Sequence, residues 1–149
     1  TGLNVPHVDF DRNKQLYQAL QAAIDAELVA SCHAVARGGL GVHLAYMTMA
    51  GGLGLELDLG RLPVDDARGF LSDEKRLFSE SAGRFVITID PSCRPAVEQL
   101  FDGMAFGCVG QISGEHDNLK INGLNQTPLV DLSCRQLDMA FNKAFGDMI

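Results

Sequence analysis

Over residues 11–28 the apolar side chains Leu16, Leu20, Ile24 and Leu28 recur at every fourth position with mostly polar residues between them. That spacing draws one stripe along one face of an amphipathic helix, and Asp9 or Asp11 stands where an N-cap is needed. Residues 29–35 then form a short apolar run, the pattern of a buried strand, which breaks at Gly38-Gly39. Residues 40–50 resume as a helix that is apolar almost all round, which predicts burial on more than one side, and Gly51-Gly52 stops it. Leu53, Leu55, Leu57 and Leu59 alternate with Gly54, Glu56, Asp58 and Gly60. A period of two predicts a strand with one buried face.

After Pro63 the pattern predicts helix through Asp65, Asp66 and Phe70, and again over residues 73–80, where Leu77 and Phe78 supply the buried side. Residues 84–89 read as a strand. Pro91 and Ser92 open a further helix carrying Val97, Leu100 and Phe101, with Gly103 as its stop. Short strands over 106–112, 118–121 and 128–130 follow, joined by Gly- and Asn-rich turns, and a last helix holds Leu137, Phe141 and Phe145. Helices and strands alternate early and strands run consecutively late, which predicts an α+β fold: an α/β sandwich with a mixed β-sheet covered by helices.

Composition narrows the partners. The 149 residues fit one domain, with 46% hydrophobic residues and no low-complexity tract, so the chain needs no disulfide or metal to fold. A net charge of −7 lacks the basic stripe that nucleic acid requires. The longest apolar stretch, residues 40–55, is interrupted by His43, Thr48 and four glycines and falls short of a membrane span. Neither nucleic acid nor membrane is expected as a partner. Cys32, Cys93, Cys108 and Cys134 show no metal or redox spacing and are expected to be reduced, mostly buried thiols, which favours the cytoplasm. The opening Thr1-Gly2-Leu3-Asn4-Val5-Pro6 reads as linker, so residues 1–10 are assigned as linker and 11–149 as a domain excised from a longer protein.

The segment with most chemical promise is Ser31-Cys32-His33-Ala34-Val35-Ala36-Arg37-Gly38-Gly39-Leu40. Strand, glycine pair and helix together can form a phosphate site, because the first N–H groups of a helix have no partner within it. The same glycines serve equally well for left-handed backbone and close packing. Gly38, Gly39, Arg37 and His33 are the nucleotide or phosphate candidates, although a lone His in an apolar run is more often a hydrogen-bonded core residue. Glu80, Ser81 and Arg84 are secondary candidates at a helix-to-strand junction, against the plainer reading of capping and an Arg84–Glu80 surface pair. Glu56 and Asp58 share a strand face and invite a general acid/base reading, but solvated strand-face residues are expected. His7, His43 and His116 carry less signal still, and Asp65-Asp66 and Asp73-Glu74 complement helix dipoles.

Three ordered stretches carry a resemblance: Cys32-His33-Ala34-Val35-Ala36-Arg37-Gly38-Gly39-Leu40, Met49-Ala50-Gly51-Gly52-Leu53-Gly54-Leu55-Glu56, and Leu77-Phe78-Ser79-Glu80-Ser81-Ala82-Gly83-Arg84-Phe85-Val86. They closely resemble the C-terminal AIR-synthase-related domain of phosphoribosylformylglycinamidine synthases. Val5-Pro6-His7-Val8-Asp9, Leu16-Tyr17 and the last helix extend the likeness over nearly the whole chain. The resemblance implies the AIR synthase C-terminal-domain fold. It also implies a part in a cytoplasmic purine-biosynthesis ligase that uses ATP, Mg and glutamine-derived ammonia to convert formylglycinamide ribonucleotide to formylglycinamidine ribonucleotide. The implied partners are the preceding N- and C-type domains of the same synthase and a glutaminase subunit or domain, with a homodimer of the excised domain as a further possibility.

The same resemblance places the catalytic His and the main Mg ligands outside this chain, so no catalytic residue is assigned here. The family pattern at residues 33–40, His-Asp-x-Ser-Asp-Gly-Gly-Leu, is broken by Ala34, Ala36 and Arg37. A methyl group neither coordinates a hard cation nor accepts a hydrogen bond, so no metal is assigned to the site. Arg37 could hold an anion in place of the metal, or the site is vestigial; the second reading is favoured, because helix-end electrostatics supply only ~0.3–1 kcal/mol. Two alternatives therefore stand beside the synthase domain. One is a structural or interface module with a decayed nucleotide site. The other is a domain of a different ATP-using relative such as selenophosphate synthetase, thiamine-monophosphate kinase or the hydrogenase-maturation type.

Overall fold

The computed structural model describes residues 8–64 and 71–146. The element order is α1 (Phe10–Asp25), β1 (Ser31–Val35), α2 (Gly39–Gly51), β2 (Gly54–Asp58), α3 (Asp73–Phe78), β3 (Arg84–Thr88), α4 (Arg94–Leu100), β4 (Gly110–Ser113), β5 (Asn118–Asn122), β6 (Pro128–Ser133) and α5 (Cys134–Gly146). The α+β expectation holds, with one refinement: the strands form two sheets. β1 and β3 make an antiparallel ribbon, and β4-β2-β5-β6 make a mixed sheet in which β2 and β5 run parallel. The expected helix over 65–70 lies outside the described residues.

Each sheet has its own core. In the four-stranded sheet Leu55, Leu57, Leu119 and Ile121 project to one face, where they meet Leu40 and Leu44 of α2, Leu77 of α3, and Leu59 and Val35. Leu44 and Leu59 are completely buried. This explains why α2 is apolar all round: it touches β1, β2, β5, α3 and α5. The opposite sheet face carries Glu56, Asp58, Lys120 and Asp131, because alternation along a strand sends every second side chain away from the core. The helices thus cover the apolar face alone, through α2, α3 and α5. The second core lies between α1, α4 and the outer face of β3, with Ala23 and Val97 fully buried beside Phe101, Phe85 and Ile87.

Caps follow the sequence. The Asp9 carboxylate accepts the Arg12 N–H at 3.0 Å and starts α1, while Gly52, left-handed at φ 60°, ends α2. Asp90 accepts the Ser92 N–H and turns the chain into α4 through a 3-10 turn at Pro91–Cys93. Asp73, expected only to complement a helix dipole, also accepts the Leu124 N–H at 3.0 Å and so ties α3 to the β5–β6 turn.

Several expectations are corrected. The 29–35 run is not a buried strand: β1 begins at Ser31, and Ser31, Cys32 and Ala34 are exposed because a two-stranded ribbon leaves β1 a free edge. Phe78, expected inside, is 57% exposed, since α3 ends there with only Leu77 turned inward. The 106–112 strand is reduced to Gly110–Ser113, because Phe106 instead stacks on Phe101 in the second core. Conversely β6 runs to Ser133, beyond the expected 128–130. The cysteines are free thiols, yet none is buried: Cys32 and Cys108 are exposed, Cys93 and Cys134 half-buried.

Candidate functional site

The glycine turn between β1 and α2 is shaped first by backbone geometry. Gly38 and Gly39 sit at φ 91° and 72°, the left-handed region that side chains disfavour. A Cβ on Gly39 would lie 2.6 Å from the Leu77 carbonyl oxygen and from the Phe78 Cα, so only glycine lets α2 begin against the end of α3. The paired glycines are therefore required for packing whether or not an anion binds. Two N–H groups at the helix start are also occupied from within. Gly38 N–H donates to Glu80 Oε1 at 2.7 Å, and Gly39 N–H donates to the Ala36 carbonyl at 3.1 Å. A carboxylate of the chain itself stands at the helix N-terminus, where negative charge is favoured.

The loop that delivers Glu80 is held by Arg84, half-buried on β3. Its guanidinium donates to the Ser79 and Ser81 carbonyls and reaches the Ser79 hydroxyl. The expected Arg84–Glu80 pair is thus replaced by two separate tasks: Arg84 binds the loop backbone, and Glu80 closes the turn. Burial draws the Arg84 guanidinium below its ordinary value, which leaves an arginine charged. Ser81 contributes through its carbonyl, and its residue is exposed.

His33 is joined by a residue the sequence reading set aside. His33 Nε2 lies 2.8 Å from His43 Nδ1, with ring centroids 4.9 Å apart, and His43 Nε2 faces both the Ala36 N–H at 2.9 Å and the Arg37 carbonyl at 3.2 Å. His43 is nearly buried, with Tyr46 edge-on to its ring and Phe141 of α5 edge-on to Tyr46. The signal available in the sequence was a His one turn inside an otherwise apolar helix, a position that demands a polar partner. Arg37 is exposed and enters this arrangement through its backbone carbonyl. Ala34 and Ala36 are exposed methyls at the positions of the missing polar groups, and no cluster of three His, Cys, Asp or Glu suited to a metal occurs among the described residues.

Glu56 is not simply solvated. Its carboxylate accepts from Gln111 Nε2 at 2.9 Å, meets His116 Nε2 at 3.1 Å and lies 3.5 Å from Lys120 Nζ. The Gln111 and His116 hydrogen bonds, then Lys120, hold it below the usual carboxylate range. Asp58 is tied elsewhere, to Gln126 at 2.9 Å and the Gly60 N–H at 2.7 Å, so the two carboxylates share a face without forming an acid/base pair. Gly54 gives His116 its place: a Cβ there would sit 2.3 Å from the imidazole.

Comparison with known proteins assigns this architecture to a family. The model for AIR synthase related protein, C-terminal domain, matches residues 1–121. A phosphoribosylformylglycinamidine synthase subunit PurL from Thermococcus sibiricus is 35% identical over 121 residues, spanning 78% of this chain and 16% of that protein. The corresponding subunit from Methanocaldococcus jannaschii is 28% identical over 145 residues, spanning 97% of this chain and 19% of that protein. The chain therefore spans less than a fifth of these relatives' length. Among solved structures, T. maritima PurL complexed with FGAR superposes with a TM-score of 0.76 at 20% identity, covering 92% of this chain and 22% of that one. PurLQS from Thermotoga maritima superposes with a TM-score of 0.78 at 19% identity, covering 91% and 23%. The T. maritima PurL complexed with ATP gives 0.72 at 19% identity, covering 83% and 21%. At these identities the likeness to the solved structures is one of fold.

Proposed function

We propose a role that starts from one fact: the chain belongs to the AIR synthase related protein family, in its C-terminal domain. The role is that of the C-terminal domain of a phosphoribosylformylglycinamidine synthase, an ATP-dependent carbon–nitrogen ligase, with the chain inactive by itself. The observation that carries this reading is the near end-to-end match to a small fraction of synthase subunits, 97% of this chain against 19% of the relative. The assignment of residues 1–10 as linker and 11–149 as the domain belongs to the same proposal.

Within that synthase the glycine turn acts as structure. Ala34 and Ala36 offer no ligand for Mg, and Glu80 already takes the Gly38 N–H that a phosphate would need. ATP and Mg then serve the intact enzyme at sites supplied by other domains, and no resident metal is assigned to this one. The residues that could still face a phosphate are Gly38, Gly39, Arg37 and His33, provided Glu80 swings away. The preceding domains are the proposed partners, with a glutaminase subunit joining the assembly and a cytoplasmic setting. Val8 just before α1, with Phe10 and Tyr17 along it, offers them an apolar surface. No helix among the described residues is long and apolar enough to cross a membrane.

Two measurements test this. A synthase lacking its last domain should regain turnover when the chain is supplied in trans, and failure to regain it, with a complex formed, rejects the assignment. Calorimetry with Mg-ADP should give no binding to the chain alone and a gain for Ala34→Asp/Ala36→Ser combined with Glu80→Ala. Binding by the unaltered chain would overturn the structural reading of the turn.

A further inference from the structure

The His33–His43 pair is linked to the turn in a way that makes its proton count matter. Four ring nitrogens lie in sequence. His33 Nε2 and His43 Nδ1 share one proton at 2.8 Å, and the two outer nitrogens are His33 Nδ1 and His43 Nε2. When the pair is neutral only one outer nitrogen carries hydrogen. The Ala36 N–H is a fixed donor 2.9 Å from His43 Nε2, so that nitrogen is the bare acceptor and His43 Nδ1–H donates to His33. A third proton has no other place to go: with the bridge kept, both outer nitrogens must carry hydrogen. His43 Nε2 then changes from acceptor to donor, turns its bond to the Arg37 carbonyl 3.2 Å away, and leaves the Ala36 N–H without a partner.

From this geometry we infer that His43 is a positioning residue for the glycine turn and that the His33–His43 pair makes the turn sensitive to pH. With the pair neutral, Ala36 is pinned and with it the carbonyl that holds Gly39. With one added proton the pin moves from the Ala36 N–H to the Arg37 carbonyl, that is, from the Val35–Ala36 peptide to the Arg37–Gly38 peptide. The charged and aromatic groups around the pair come from several elements. The charged groups of the turn are Arg37, whose side chain is exposed, and Glu80 from the α3–β3 loop, bonded to the Gly38 N–H. Arg84 on β3 is already committed to the Ser79 and Ser81 carbonyls, while α2 and α5 contribute Tyr46 and Phe141 edge-on. The inference holds whether or not the turn meets a nucleotide.

NMR of the whole chain between pH 8 and pH 5, the range over which histidine ordinarily changes charge, tests it without any ligand. Imidazole 15N shifts should show His43 Nε2 unprotonated at pH 8. The Ala36 amide proton should move upfield as pH falls, with the same midpoint as that nitrogen. His43→Gln, which keeps an acceptor but does not titrate, should retain the Ala36 hydrogen bond and abolish the Ala36 titration. His33→Phe, which removes the bridge, should shift the midpoint. A protonated His43 Nε2 at pH 8, an Ala36 amide that does not move, or an unchanged Ala36 titration in His43→Gln each overturns the inference. Should His43→Gln fail to fold, the two wild-type readings decide it.

Discussion

The two cores of this small domain are built to different standards. The first, between α2 and the four-stranded sheet, is covered by α3, α5 and β1 and contains Leu44 and Leu59 with no exposure at all, although α5 leaves Met139 and Phe141 exposed. The second, between α1, α4 and β3, buries Ala23 and Val97 as completely, yet its outer helix exposes Phe10 at 81%, Tyr17 at 49% and Ile24 at 44%. A finished core stabilises a fold by itself. A helix that is apolar on both its inner and part of its outer face has burial still to gain, and large exposed apolar surface of that kind marks contact with other protein.

Perturbing the two cores in turn sharpens the contrast. Leu44→Ala, at the centre of the first, should cost about 4 kcal/mol and lower the thermal midpoint of the whole chain, measured by calorimetric unfolding. Leu20→Ala, inside the second, should cost about 2 kcal/mol, because half-buried Leu16 and neighbouring α1 side chains have room to relax into the space. Equal losses at the two sites in denaturant titration would break the distinction. Asp9→Ala should cost about 1 kcal/mol by removing the cap of α1, seen as faster amide exchange confined to its first turn. Phe10→Ser should change stability by no more than about 0.5 kcal/mol while weakening any association of the chain with the proposed synthase domains.

A last and smaller effect concerns the far face of the first core's sheet. The Glu56 carboxyl is held below its ordinary value by Gln111, His116 and Lys120. A group depressed in the folded state adds stability above its unfolded value, and that contribution is lost as pH falls through its folded value. Glu56→Gln should therefore flatten the acid limb of the stability curve and leave the limb above neutral pH nearly unchanged, as read from unfolding midpoints between pH 3 and pH 8.

Much of the first core was legible because the alternation over 53–59 marks the buried face of β2 and the all-round apolar run marks α2 as a buried helix, ended by left-handed Gly52. The ribbon was not. Residues 29–35 look like an interior strand from composition, and only the pairing, one neighbour rather than two, leaves β1 at an edge with Cys32 facing water. The turn was located correctly from Gly38-Gly39, but its contents were invisible. Glu80 reaches it from a distant loop, and His43 reaches it from the next helical turn through a backbone N–H that no side-chain motif encodes. Arg84 and Glu80, close in sequence and opposite in charge, suggest a pair; the guanidinium instead bonds the Ser79 and Ser81 carbonyls.

The parallel pairing of β2 with β5 carries a consequence for the order of events during synthesis. Everything from Leu59 to Asp117 lies between these two central strands, so their ladder cannot close until the ribosome has released the chain through Asn122. Contacts so remote in sequence form slowly. Until then Leu44, Leu55 and Leu57 lack Leu119 and Ile121 of β5, which complete their core, whereas α1, β3 and α4 are already available to one another. The less finished core is thus the one that can assemble first, and the nascent domain would sit half-folded on its exposed α1 surface while the better-packed half waits for its last strands.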